Sequence, residues 1–416
     1  MVADVYVAYK YRIYPKPRQE RLLKSHLAAL CSLYNTLRDL KLKTWRERHV
    51  SLSEYDLKNI ALEKRRRDRV LSSIHSQVVQ EVASRVHRAF RNYFEGRARF
   101  PKRKKPRKYR SLTYPQSGFK LCGKLVWKGK RTELKGKLYL SKIGHVRIFM
   151  HRPIEGKVKT LSIKYDAGEW YAIFICEVQD RPKKPIEEIE EDRIIGGDLG
   201  LYRFLTLSDG RSAGYPKYLR RSEEKIKRLQ RILSRAKKGS KNFRRLTLRI
   251  ARLHLHVRRQ RENFQNQIIA ALYREADVVF LEKMRVKNLL RNHKLAKSLQ
   301  DSAFSQFIVK AKFKADLQGK WFVPVDPWGT SQFCWSCLAW VPKKIGEPMH
   351  ECPKCGEKLP RSENSARLIR RLGLAVLPSL RLGYAPGRGV NTPAKPIISL
   401  RRLRAMGGTG SPSLLQ

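Results

Sequence analysis

Four cysteines stand in two pairs, Cys334-x-x-Cys337 and Cys352-x-x-Cys355, with fourteen residues between the pairs. Two such knuckles, each offering two thiolates, can close one tetrahedral Zn²⁺ site. With four protein ligands the site is closed, so its role is structural: the metal stabilises a segment too small for a core of its own. His350 is adjacent but surplus. Cys31, Cys122 and Cys176 lie singly in apolar surroundings and read as core residues. The odd total of seven argues against a disulfide framework.

Two acids end apolar runs. Asp198 follows I-I-G-G at 194–197, and Glu282 follows V-V-F-L at 278–281. An acid at the edge of a half-buried sheet is costly unless something cationic holds it. Taken alone, Asp198 reads equally as a turn former or helix-cap partner. Downstream, R-S-E-N-S-A at 361–366 reads as a helix start.

That order (Asp in G-G-D-L-G, Glu in F-L-E-K-M, four cysteines, an x-x-N-x-A helix) resembles the TnpB (OrfB) family of insertion-sequence proteins, relatives of the compact type V CRISPR nucleases. Y-K-Y-R-I-Y-P-K-P-R-Q near the N-terminus and F-P-K-R-K-K-P-R-K-Y-R-S-L-T-Y at 100–114 resemble the same family, so the likeness runs from about residue 7 to about residue 370. The resemblance implies an RNase H-like (RuvC) domain that brings the two acids side by side, with a third acid on a later helix. Three carboxylates can hold two Mg²⁺ ions, hard cations that take oxygen ligands. One ion sharpens a water nucleophile and the other stabilises the leaving 3′ oxygen.

The family motif at the third position, D-x-N-A-A, matches Ser362-Glu363-Asn364-Ser365-Ala366, so a serine stands where the acid is expected. A neutral hydroxyl does not replace a metal-binding carboxylate. Glu363 is the nearest rescue, about 100° round the helix. Asp326 is an outside candidate whose plainer reading is a turn residue before Pro327. Two classes follow. One is an RNA-guided, Mg²⁺-dependent DNA endonuclease using Asp198, Glu282 and Glu363, its cleavage weakened by the serine. The other is a nuclease-inactive, RNA-guided DNA-binding repressor or decayed transposon protein. A general basic nucleic-acid-binding protein is a third reading, and the motif order speaks against it. The implied partners are a guide RNA from the protein's own locus and a double-stranded DNA target, with structural zinc and catalytic Mg²⁺ as cofactors.

The elements that must position these residues are legible in outline. Val5–Tyr14 reads as a strand ended by Pro15 and Pro17, 18–48 as a helix, 51–57 as a break, 59–69 and 76–93 as helices, and 111–177 as short strands. The expected fold class is multidomain α/β: an RNase H-like domain with a four-Cys zinc insert, preceded by a β-barrel (wedge) domain carrying a helical recognition module. The boundaries are 1–14 and 101–180 for the barrel, 15–100 for the helical module, 181–193 for a Pro-rich linker, 194–327 and 358–372 for the nuclease-type domain, 328–357 for the zinc insert, and 373–416 for a poorly ordered tail. Residues 218–276 read as two basic helices broken near Gly239, and 285–299 as a mobile basic stretch.

The chain carries 91 Lys and Arg against 36 Asp and Glu, a net charge of +55. Such an excess repels itself in the compact state, so a large polyanion is the natural partner. No apolar run is long enough for a membrane span, and no cleavable signal pattern opens the chain, which points to a cytoplasmic, nucleoid-associated protein without a membrane partner. Candidate nucleic-acid contacts are Lys102, Arg103, Lys104, Lys105, Arg107, Lys108 and Arg110 for phosphates. Gln77, Gln80, Tyr114 and Gln116 are candidates for bases.

Overall fold

The Tyr- and Val-rich opening forms strand β1 (Asp4–Tyr14) in a computed structural model describing residues 4–128, 131–284, 293–344 and 346–381. Pro17 takes the first turn of helix α1 (Pro17–Arg48), where its missing N–H costs nothing. Helix α1 buries Leu23, Leu27, Leu30, Leu33 and Leu37 along one stripe. Helix α2 (Glu54–Arg67) starts five residues before the expected helix because Ser53 and Asp56 cap each other's backbone: the Asp56 N–H donates to Ser53 Oγ, and the Ser53 N–H to Asp56 Oδ2. Helices α3 (Arg69–Ser72) and α4 (Ser76–Phe94) follow.

Strands β2 (Ser111–Tyr114), β3 (Phe119–Lys128), β4 (Arg131–Leu140), β5 (Gly144–Met150), β6 (Lys157–Asp166) and β7 (Glu169–Gln179) join β1 in one sheet of order β2-β6-β7-β1-β5-β4-β3. Every pairing is antiparallel. The two edge strands, β2 and β3, are joined by residues 115–118 alone, and four residues reach roughly 14 Å at most. The sheet must therefore curl until its edges meet at that turn. Helices α1–α4 are inserted between β1 and β2.

Residues 1–179 form one unit and 180–416 another. The second holds β8 (Ile194–Asp198), β9 (Arg203–Leu207), β10 (Ser212–Gly214), α5 (Tyr218–Arg235), α6 (Lys241–Glu275), β11 (Val278–Glu282), α7 (His293–Ser302), α8 (Phe304–Gln318), β12 (Trp321–Val325), the pair β13 (Met349–Glu351) and β14 (Lys358–Pro360), and α9 (Arg361–Arg381). The sheet order is β10-β9-β8-β11-β12, with β8, β11 and β12 parallel and β9 antiparallel to β8. Parallel strands covered on both faces need apolar residues at consecutive positions rather than alternate ones, which is why V-V-F-L at 278–281 is unbroken and fully buried. One face packs on Ile269, Leu272, Phe304 and Phe307 of α6 and α8. The other packs on Leu368, Ile369 and Leu372 of α9.

Helix α9 crosses the sheet at very close range. A Cβ on Gly196 would run into the Ala366 carbonyl and sit 2.6 Å from the Arg370 amide nitrogen, and a Cβ on Gly373 would enter the Phe280 ring. Glycine in G-G-D is thus what lets a helix lie on β8.

The 181–193 stretch, read from sequence as a linker, packs into this unit. Ile186 and Ile189 enter the core beneath α9, and the Trp321 indole donates to the Lys184 carbonyl. Apolar residues at 186 and 189, between the prolines and acids, are the signal for this. The region read as a tail begins as helix, since α9 continues through Arg381; residues 382–416 and 285–292 lie outside the described residues. Among the described residues no helix is long and apolar enough to cross a membrane.

Candidate active site and zinc centre

Gly197 of β8 pairs with Leu281 of β11, so the next residues, Asp198 and Glu282, emerge side by side at the C-terminal edge of the sheet. Neighbouring strands lie about 4.8 Å apart. Glu282 accepts a hydrogen bond from Thr330 Oγ1 at 3.0 Å. Asp326 follows Val325, the partner of Glu282 on β12, and accepts from the Trp328 N–H at 2.9 Å as a turn residue does. Burial, and then the Glu282 charge, push the Asp198 carboxyl up to about 7, against the opposing pull of Arg361 and the Leu199 N–H. Burial and the Asp326 charge likewise raise Glu282, opposed by the Thr330 bond. Two carboxylates whose proton affinity is raised, Asp198 by burial and the Glu282 charge and Glu282 by burial and the Asp326 charge, fit a divalent cation: hard oxygen donors whose repulsion a cation would relieve. They do not form a three-ligand cluster. Among the described residues, only the four cysteines bring three or more such groups together.

The third position is set by α9. Residues 362, 366 and 370 share one face of a helix. Ala366 and Arg370 abut Gly196 and Arg370 reaches back to the Ile194 carbonyl, so helix periodicity sets residue 362, one turn earlier and about 5.4 Å along the axis, toward the end of β8 that bears Asp198. Glu363 lies off that face: Arg367 Nη2 donates to its Oε1 at 2.6 Å, and its carboxyl group points toward Gly210. The charge that does reach Asp198 from this helix is the guanidinium of Arg361. Sequence reasoning missed Arg361 and Thr330, whose only signals are a base next to the serine and a hydroxyl inside the D-P-W-G-T-S turn.

A carboxyl whose folded-state affinity for protons exceeds its unfolded one stabilises the fold at low pH. That contribution is lost as pH rises from about 4 through about 7. Replacing Asp198 by Asn should therefore stabilise the zinc-loaded protein, without added Mg²⁺, by about 1–3 kcal/mol at pH 8. The gain should shrink as pH falls and approach zero only below about pH 4. Urea midpoints of the two proteins at pH 8 and about pH 4 decide it, and equal midpoints at pH 8 would count against the desolvated site.

The cysteines converge as their spacing implies. Their four sulfurs lie within 4.8 Å of one another, with Cys334–Cys355 at 3.7 Å and Cys337–Cys352 at 3.5 Å. A disulfide needs about 2.05 Å, so these are not bonded pairs. A tetrahedron with Zn–S of about 2.3 Å has sulfurs about 3.8 Å apart, close to the spacing found. Asn364, fully buried, ties this centre to α9: its Nδ2 donates to the Phe333 carbonyl at 2.8 Å, and the Trp335 N–H donates to its Oδ1 at 3.0 Å. The asparagine that fixes the motif register is also the bolt between the first knuckle and the helix bearing Ser362.

The sequence-derived nucleic-acid contacts fare unevenly. Tyr114 is only 2% exposed; β2 alternation turns it and Leu112 inward, and its hydroxyl donates to the Ser141 carbonyl, so its ring cannot stack on a base. Gln77 Oε1 is engaged by the backbone N–H and hydroxyl of Ser117, Gln80 is half-buried and Gln116 is exposed. Arg103 pairs with Asp39 and Arg110 with Asp166. Lys104 lies over the Tyr34 ring, its backbone bonded to Asn35. Lys102, Lys105, Arg107 and Lys108 stand exposed.

Known proteins match along most of the chain. The OrfB_IS605 family model, described as "Probable transposase", matches residues 174–293. A "Cas12f1-like, TNB domain" matches 304–369. The OrfB_IS605 "Helix-turn-helix domain" matches 1–49, here β1 and the single long α1. A Streptomyces pristinaespiralis protein named "Putative RNA-guided DNA endonuclease" is 29% identical over 90% of this chain and 91% of its own. The Escherichia coli K12 protein "Putative RNA-guided DNA endonuclease InsQ" is 25% identical over 73% and 75%. Among solved structures, the Cas12f1–sgRNA–target DNA complex superposes with a TM-score of 0.57 at 12% identity, covering 88% of this chain and 99% of that one. The mini-RNA-guided endonuclease CRISPR-Cas_phi3 gives 0.50 at 9%, covering 88% and 92%. These matches agree along the chain with the order of acids, cysteines and helix, and together they support a TnpB (OrfB) family protein related to Cas12f.

Proposed function

We propose that this chain is an RNA-guided DNA-binding protein whose RNase H-like (RuvC) site retains two of three metal-binding acids and so cleaves DNA slowly. The observation that carries this is the Asp198–Glu282 pair at the ends of adjoining parallel strands; helix periodicity, which sets Ser362 on the face of α9 that abuts β8, supports it. The order β10-β9-β8-β11-β12, with the acid-bearing strands adjacent, supports the nuclease-type assignment for 194–327 and 358–372, and the curled sheet with its helical insert supports the wedge and recognition assignments. The relatives named as RNA-guided endonucleases support guide RNA and target DNA as partners, with the RNA drawn from the protein's own locus and the protein resident with cellular DNA. Charge agrees: residues 225–261 carry fifteen Lys and Arg and no Asp or Glu, a surface suited to phosphate backbones.

In the reaction, Asp198 and Glu282 would hold Mg²⁺, which supplies charge for the attacking water and the leaving oxygen. Thr330 fixes the Glu282 carboxylate through its hydrogen bond. The Leu199 N–H favours the ionised form of Asp198. Arg361 favours a second reading, target occupancy without cleavage, because a fixed cation beside Asp198 competes with a mobile one.

Co-expression with RNA from the locus, followed by a plasmid-target assay in Mg²⁺, tests the proposal. Expected are co-purifying RNA, target binding, and slow cutting that Asp198→Ala abolishes. Binding with no cutting selects the second reading. A chain that retains neither RNA nor target sinks both.

A further inference from the structure

The loops that rise on either side of the acid pair expose aromatic rings. The β8–β9 loop, which starts at Asp198, carries Tyr202 with 90% of its surface exposed. On the other side, Trp328 follows Asp326 at the end of β12, two residues from the Thr330 that bonds Glu282. Trp328 stacks on Trp340 of the first cysteine knuckle, with centroids 6.3 Å apart and planes 25° apart; they are 37% and 46% exposed. Both tryptophans pack on Phe333, and each residue keeps more than a third of its surface exposed. Single exposed apolar residues need no explanation, whereas three large rings on the loops either side of one half-buried acid pair do. Exposed Arg203 and Lys344, with Arg361, supply positive charge around them. Rings interleaved with cations suit unpaired nucleotides: the ring takes the base and the cation its phosphate.

We propose that Tyr202 and the Trp328–Trp340 stack are positioning residues that each stack on an unpaired base of a DNA strand, one on either side of the phosphate presented to Asp198 and Glu282. Strands β8, β11 and β12 are consecutive neighbours, so the two platforms flank the acids across about two strand spacings, roughly 10 Å. The site then accepts a strand only where its bases are free to turn outward, which excludes an intact duplex. This rests on the reading of the acid pair as a DNA-facing site.

The test uses the full-length chain with its co-purified RNA, without Mg²⁺, and a single-stranded DNA 12-mer carrying one 2-aminopurine. Stacking should quench the probe's fluorescence. Tyr202→Ala and Trp340→Ala should each lose quenching and bind roughly 5- to 100-fold more weakly, the span of base–aromatic stacking. Tyr202→Phe and Trp340→Phe should retain both. A duplex of the same sequence should be bound equally by all variants. Because Trp340 packs on the knuckle, Tyr202→Ala, in an open loop, is the decisive variant. Undiminished quenching in Tyr202→Ala, or a wild-type chain that does not bind the 12-mer, overturns the proposal even where guide RNA and target duplex still bind. Aromatic-dependent quenching in a chain that holds no RNA would keep this proposal and remove the guided reading.

Discussion

Replacing Cys334 or Cys352 by serine is expected to unfold the segment between β12 and α9 and to lower the protein's thermal midpoint by about 6–12 °C, the size of a loss of several kcal/mol in a domain this large. The cluster's own apolar core is small: beside the buried cysteines it holds Val341 with partly buried Ala339, the insert also packs Phe333, Trp335 and Leu338 against the core under α9, and among its described residues the regular structure is the three-residue pair β13–β14. In small metal-bound folds the apparent binding free energy, about 10–16 kcal/mol, is the folding free energy. The damage should spread, because Asn364 anchors α9 to Phe333 and Trp335 of the first knuckle. Metal analysis should find one zinc per chain in the wild type and less in the variant, with protease cutting first inside 328–360. A variant that kept its midpoint and its resistance to protease would mean that the cysteines pack without metal.

The parts of this protein legible in its sequence share one physical property: they are local. Consecutive apolar residues at 278–281 mark a buried strand, and leucines at helical spacing mark α1. The cysteine spacing announced a site whose ligands are paired by the chain itself. What stayed hidden depends on partners far away. Tyr114 sits in a basic, aromatic stretch that looks built for bases, and only the pairing of β2 with β6 turns it into the core. The 181–193 stretch reads as a spacer because its isoleucines are outnumbered by prolines and charges, yet two of them meet α9. At the site, Asp198 and Glu282 each end an apolar run, and the resemblance of the whole motif order to the TnpB family is what singles them out. That Glu363 leans on Arg367, while the face of α9 bearing residues 362, 366 and 370 lies on β8, follows from how close Gly196 lets α9 approach, which no local pattern states.

The same close approach makes Ser362→Asp the most informative substitution in the active site. A carboxylate at 362 would occupy the α9 face that abuts β8, toward the end of β8 that bears Asp198. Three desolvated acids repel one another more than two, so without Mg²⁺ the variant should be less stable than wild type at pH 8, and Mg²⁺ should raise its midpoint more than it raises that of wild type. With Mg²⁺ the added ligand should speed target cleavage by about 10²–10³-fold, the equivalent of about 3–4 kcal/mol of transition-state stabilisation. Arg361 would then pair with the new acid unless metal displaces it, so Arg361→Gln in the same background should raise the rate further at low Mg²⁺. Asp198→Ala should abolish the gain in either background. Cleavage rates and thermal midpoints measured across a Mg²⁺ titration separate the alternatives. A rate rise with a larger metal-induced shift makes the serine the reason for slow cutting. A larger shift without a rate rise leaves Arg361 or the strand path as the block. Neither change would mean that 362 does not face the metal and that the third ligand lies elsewhere, with Asp326 at the end of β12 the next acid to replace.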